Sequence, residues 1–254
     1  MKKRLVIANW KMYVEDKEAA VAYAKTLRAK MRALPNVAVS IAPSFILIPA
    51  VAEALARSTV AVGGQATSRY HADAHTGDVS AKMLKNFGAS FVIVGHSERR
   101  AMGETDEIVR RQIQEAGEAG LSAVLCVGER ERDQGGEHFA FIKTQLSSAL
   151  VGISKKSLRG MVIAYEPVWA IGKSAADAMK PQEIQESVIL IRKIVTEILG
   201  REAALKIPVL YGGSVEESNA TQILKDGGVG GFLVGHASVN LENFLPILKA
   251  CSTK

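Results

Sequence analysis

Leu5-Val6-Ile7-Ala8-Asn9-Trp10-Lys11, near the amino terminus, is a short apolar run that gives way to an amide, an indole and an ammonium group. It reads as a first strand and the turn that leaves it. An open, doubly wound sheet built to hold a dinucleotide would carry G-x-G-x-x-G at this turn, and the chain has Ala8-Asn9-Trp10-Lys11 instead. The other way of alternating strands with helices, a closed eightfold barrel, is therefore favoured. Further short runs begin near Val37, Thr59, Phe91, Ser122, Met161, Pro208 and Gly231. Most are rich in Val and Ile and none alternates cleanly, as expected of parallel strands covered on both faces. Between them Val109, Ile113, Ala116 and Gly120, or Ile184, Val188, Ile191, Val195 and Ile198, recur at helical spacing. Eight strand-helix units in 254 residues average about 32 residues each, close to the roughly 30 of a βαβ unit. We expect an α/β protein, a single domain over residues 1–254, folded as an eightfold (β/α)8 barrel.

Composition bounds the partners. With 48% apolar and 23% charged residues, 22 Gly and 7 Pro, the chain is neither collagenous, disordered nor a disulfide scaffold. Lys and Arg exceed Asp and Glu by six, which suits an anionic small molecule but is too little for nucleic acid. The longest apolar stretch, Phe45 to Ala52, contains Pro49 and is far short of the roughly 18 residues that span a bilayer. Lys2-Lys3-Arg4 resembles the start of a signal peptide, but the apolar segment behind it, Leu5 to Ala8, is too short, so a cytoplasmic protein is expected. Cys126 and Cys251 read as core thiols.

In such a barrel reactive groups stand at the carboxyl ends of the strands. Glu166 ends the run Met161 to Tyr165 and precedes a proline, which pushes it toward extended geometry. It suits a general base acting on a carbon acid once a closing loop removes water. His96 follows Phe91 to Gly95, and Ser97-Glu98-Arg99-Arg100 looks like the first helical turn, whose N–H groups would face the imidazole and favour its neutral form as an electrophile. Lys11 could neutralise a developing oxyanion, with Asn9 holding that ammonium or donating to the same oxygen and Glu98 as a partner of Lys11. Gly172, Gly212-Gly213-Ser214 and Gly235-His236 would let backbone N–H groups approach an anion, although glycines also simply make tight turns. His71 and His75 resemble half of a metal site, but their surroundings read as a loop, and no metal is expected. His138 reads as a surface residue.

Asn9-Trp10-Lys11, Gly95-His96-Ser97-Glu98-Arg99-Arg100, Ala164-Tyr165-Glu166-Pro167-Val168-Trp169-Ala170-Ile171-Gly172 and Tyr211-Gly212-Gly213-Ser214 together resemble the triosephosphate isomerase family, in order and over essentially the whole chain. The resemblance implies a TIM barrel that interconverts dihydroxyacetone phosphate and D-glyceraldehyde 3-phosphate without a cofactor. It implies Lys11, His96 and Glu166 as catalytic residues, supported by Asn9 and Glu98. Gly172, Ser214, Gly235 and His236 would grip the phosphate through backbone N–H groups, under a lid running from Pro167 to Ala175. A homodimer is implied, with Thr76, Asp78 and Arg99 at positions concerned with dimerisation. The chain departs from the family at the far lid hinge, where Lys173-Ser174-Ala175 replaces Thr-Gly-Lys and an acidic segment runs to Lys180. It departs again at His236, where a second glycine is usual, and at Ala66, usually asparagine. A catalytically altered phosphosugar-binding paralogue, or an isomerase of another sugar phosphate, is the alternative these departures suggest.

Overall fold

Each apolar run becomes a strand because its two faces are buried by different partners. The computed structural model describes residues 3–71, 73–133, 135–172 and 178–253. Strands β1 (Arg4–Asn9), β2 (Val37–Ala42), β3 (Ala61–Gly64), β4 (Phe91–Val94), β5 (Ser122–Val127), β6 (Val162–Tyr165), β7 (Val209–Tyr211) and β8 (Gly231–Val234) pair in parallel in chain order. The barrel closes where Leu5 to Ala8 of β1 lie beside Gly231 to Val234 of β8. Ten α-helices occur among the described residues: α1 (Lys17–Lys30), α2 (Ile48–Ala54), α3 (Ala81–Asn86), α4 (Ser97–Ala101), α5 (Asp106–Glu118), α6 (Glu137–Leu150), α7 (Pro181–Leu199), α8 (Arg201–Lys206), α9 (Glu217–Asp226) and α10 (Leu241–Ser252). The segment Leu5 to Lys11 thus opens a closed barrel, the architecture its missing glycine fingerprint favours.

Alternate residues along each strand turn to opposite sides. Ile7, Phe91, Ile93, Val124, Cys126, Val162, Ala164, Leu210 and Leu233 fill the barrel interior, with Leu5 and Ala61 packed against them. Large and small side chains must complement one another in so narrow a space. The ring of Phe91 stands 2.5 Å from where a Cβ on Gly63 would lie. The intervening residues, such as Val6, Ala8, Val92, Val94, Leu125, Ile163 and Tyr211, belong to the second core, between strands and helices. There α5 contributes Val109, Ile113 and Ala116, and α7 contributes Ile184, Val188, Ile191 and Val195, the stripes expected from their spacing. Helix starts are capped by side chains that satisfy otherwise unpaired amides. Asp16 accepts from Ala19 N at 2.7 Å to begin α1, and Thr105 accepts from Ile108 N at 3.3 Å to begin α5.

One expectation fails here. His138 is buried, not superficial, because it lies in the first turn of α6 and folds back onto the preceding loop. Its Nδ1 is 2.8 Å from Oδ2 of Asp133, which also takes the His138 amide at 2.8 Å. These contacts hold the Asp133 carboxyl well below the usual carboxylate range. His71 and His75 go to different partners, His71 Nδ1 lying 2.9 Å from Glu115 Oε2 and His75 stacking on Tyr70 with ring centroids 3.5 Å apart. No described helix is long and apolar enough to cross a membrane.

Candidate active site

The strand alternation that sends Val162 and Ala164 into the barrel sends Glu166 to its carboxyl-terminal mouth; the same parity carries Leu5 and Ile7 of β1 on to Asn9. Asn9, Lys11, His96, Glu166, Gly172, Ser214, Gly235 and His236 all line one cleft of about 940 Å³ at that mouth. Every predicted catalytic and binding residue is therefore brought together. Residues 173–177, which include the altered far hinge of the lid, lie outside the described residues.

Glu166 is 2% exposed. Its Oε2 accepts from the backbone N–H of Ser97 at 3.1 Å, and its Oε1 lies 3.2 Å from Nε2 of His96. The backbone behind it is packed so closely that a Cβ on Gly128 would fall 1.8 Å from the Glu166 carbonyl oxygen, so only glycine fits at that neighbour. Below it in the barrel is Cys126, whose thiol is pushed well above its ordinary value by burial first and then by the charge of Glu166.

His96 is the N-cap of α4, and its Nδ1 accepts from the N–H of Glu98 at 3.2 Å. A ring nitrogen that accepts carries no proton, so the proton is on Nε2, facing Glu166 and the cleft. The imidazole expected as electrophile thus presents an N–H to the cleft. The helix supplies three consecutive contacts: Ser97 N–H to Glu166, Glu98 N–H to His96, and the Glu98 carboxylate to Lys11 Nζ at 2.5 Å. Arg100 anchors it, Nε donating to Gly95 O at 2.7 Å and Nη1 to Asp106 at 2.6 Å.

Asn9 does not hold the Lys11 ammonium. Its Oδ1 takes the backbone N–H of Lys11 at 3.2 Å, leaving the ammonium to Glu98. The reason is the backbone of Lys11, whose φ of 47° is in the left-handed region that non-glycine residues seldom occupy. The carbonyl on its other side accepts from Gln65 Nε2 at 2.8 Å, and the same amide donates to Ala42 O at 2.9 Å. Gln65 thus secures a strained residue at the mouth of the barrel.

The remaining wall comes from β6, β7 and β8. Gly172 has a φ of 75°, and Ser214 Oγ donates to Ala170 O at 3.0 Å, tying the segment after β7 to the near end of the lid. Glu129, 1% exposed, accepts from Trp169 Nε1 and from Tyr165 OH, each at 2.9 Å. His236 begins the short 3-10 turn His236–Ser238, so a side chain is accommodated there without a left-handed backbone.

A carboxylate base, an N–H donor and an ammonium facing one space, beside backbone amides from three strand ends, can remove a proton from carbon and receive the resulting oxyanion. This is an acid–base enzyme built on a (β/α)8 barrel. The triosephosphate isomerase family profile matches residues 4–251. Relatives named triosephosphate isomerase include those of Protochlamydia amoebophila, 41% identical and covering 96% of this chain and 92% of the relative, and Thermus thermophilus, 40% identical and covering 98% and 99%. That of Carboxydothermus hydrogenoformans is 38% identical over 98% of this chain and 99% of its own. The chain belongs to the triosephosphate isomerase family.

Proposed function

We propose that this protein interconverts dihydroxyacetone phosphate and D-glyceraldehyde 3-phosphate through an enediolate, as a step of glycolysis and gluconeogenesis. The observation that carries the reading is the 3.2 Å approach of His96 Nε2 to Glu166 Oε1 within a cleft that Lys11 also lines. Base and electrophile address the same few atoms of a bound triose. Glu166 removes a proton from C1 of dihydroxyacetone phosphate, and the electron pair of that C–H bond moves to give the enediolate. His96 and Lys11 stabilise its oxygens. The hydroxyl proton passes from O1 to O2 and Glu166 returns the carbon-bound proton at C2, so one base serves both carbons. Backbone N–H groups of Gly172, Ser214, Gly235 and His236 hold the phosphate, and that remote binding energy is available to align the reacting end. Water must be kept from the enediolate, which otherwise expels phosphate. A coupled assay of the purified protein with each triose phosphate tests the reading. Turnover in both directions is expected, and binding without turnover would overturn it.

The working unit is a homodimer in the cytoplasm, where phosphorylated metabolites are retained. Met12, Tyr13, Phe45, Ile46, Met83, Phe87 and Met102 are exposed on segments that follow β1 to β4, apolar side chains that a partner could cover. Thr76 and Asp78 lie on the segment that follows β3 and Arg99 on the one that follows β4. Sedimentation beside activity measurement tests this, since undiminished turnover by a monomer would refute it.

A further inference from the structure

His236 brings an imidazole into the wall of the cleft formed by the segments that leave β7 and β8. The ring is exposed and stands edge-on to Tyr13, with centroids 5.3 Å apart. Among the described residues neither ring nitrogen has a hydrogen-bond or ion-pair partner. Glu216 and Glu217 line the cleft on the segment leaving β7, yet neither pairs with the ring, and Glu216 meets the start of α9 through its backbone, its N–H donating to Asn219 Oδ1 at 2.9 Å. Lys11 Cε lies 3.6 Å from where a Cβ on Gly235, the residue before His236, would stand, so the ammonium chain and the imidazole flank the same strand end. A ring with free nitrogens, edge-on to Tyr13 and at the same strand end as the Lys11 side chain, is suited to the outer oxygens of a phosphate monoester.

We infer that the His236 side chain is a phosphate-binding group, adding a side-chain donor to the backbone amides that receive the substrate's phosphate. The inference rests on the proposed isomerase reading, and goes beyond it by giving the imidazole a role of its own. Binding of glycerol 3-phosphate and of inorganic phosphate, neither of which is turned over, is measured by calorimetry for the unaltered protein, His236→Gly and His236→Gln. His236→Gly is expected to weaken both by about 3- to 10-fold, the worth of one hydrogen bond, while His236→Gln, which keeps an N–H donor, recovers most of the loss. The ring resonances of His236 are expected to move on addition of inorganic phosphate, which a merely space-filling residue would not show. Unchanged or tighter binding by His236→Gly, or unmoved ring resonances while phosphate binds, would overturn this role and leave the isomerase reading standing. Failure of the unaltered protein to bind either anion would overturn both.

Discussion

Nε2 of His96 and Oε1 of Glu166 are 3.2 Å apart, so the electrophile and the base occupy one another's hydrogen-bonding positions. No substrate atom fits between them at that distance. A carbonyl oxygen that accepts from His96 must therefore displace Oε1 of the carboxylate, whose other oxygen the Ser97 amide holds at 3.1 Å. Base movement is built into substrate binding.

Replacing Glu166 by glutamine tests the base directly. The amide fills nearly the same volume but has little basicity, so Glu166→Gln should lower kcat by about 10²- to 10⁴-fold. Glycerol 3-phosphate should still bind, because its phosphate contacts lie elsewhere. Retained exchange of substrate hydrogen with solvent in this variant would remove Glu166 from its assigned place.

The tautomer of His96 is a separate expectation. With Nδ1 accepting from Glu98 N–H at 3.2 Å, nitrogen-15 spectra should show a protonated Nε2 and a bare Nδ1. His96→Ala, which removes this donor, should cost about 10² to 10³ in kcat, the usual effect of deleting one oxyanion donor. A protonated Nδ1 in the folded protein would contradict the geometry.

Gln65 should matter although it makes no contact with the reacting groups of Glu166 or His96. Gln65→Met leaves the carbonyls of Lys11 and Ala42 without their amide donor, at a cost of about 1–3 kcal/mol in stability. Lys11 also loses one of the two bonds that bracket its φ of 47°, so kcat/KM should fall with Tm. A lowered Tm with undisturbed kcat/KM would assign Gln65 to stability alone.

Stability should decline in alkali. Burial pushes the thiols of Cys126 and Cys251 upward, Cys251 to about 12, and raises the phenols of Tyr23, Tyr165 and Tyr211. The folded chain keeps these protons at pH values where the unfolded chain releases them. Their contribution is complete below the ordinary cysteine value of 9.0 and is lost as the pH rises from there toward about 12. Urea midpoints at about pH 8 and about pH 10.5 would reveal it, and equal midpoints would contradict it.

Much of this site was legible because strand ends are recognisable and their parity is simple. Glu166 and His96 stand directly after apolar runs, and their neighbours Pro167 and Ser97-Glu98 announce a turn and a helix start. Lys11 stands after a strand in the same way, but its left-handed backbone has no sequence signature, so of the two tasks open to Asn9 the sequence does not show that holding the ammonium is the one its Oδ1 leaves to Glu98. The Ser97 contact is a backbone amide, which any residue but proline supplies. Gln65 and Glu129 lie on segments leaving β3 and β5, and their partnerships with Lys11 and Trp169 appear only when the barrel closes. His138 looked superficial because the charged residues around it hide the Asp133 side chain that turns it inward.

The alternation that points Val162, Ala164 and Glu166 to the same side also limits how this gene can change length. Deleting one residue from β6 would turn the carboxylate toward the helix layer and an apolar side chain toward the substrate. Within the strands, loss or gain of a single codon is expected to destroy function, whereas the same event on the helix-to-strand turns at the opposite rim should leave the constellation standing. Variation in length among working descendants is therefore confined to places where the parity count restarts.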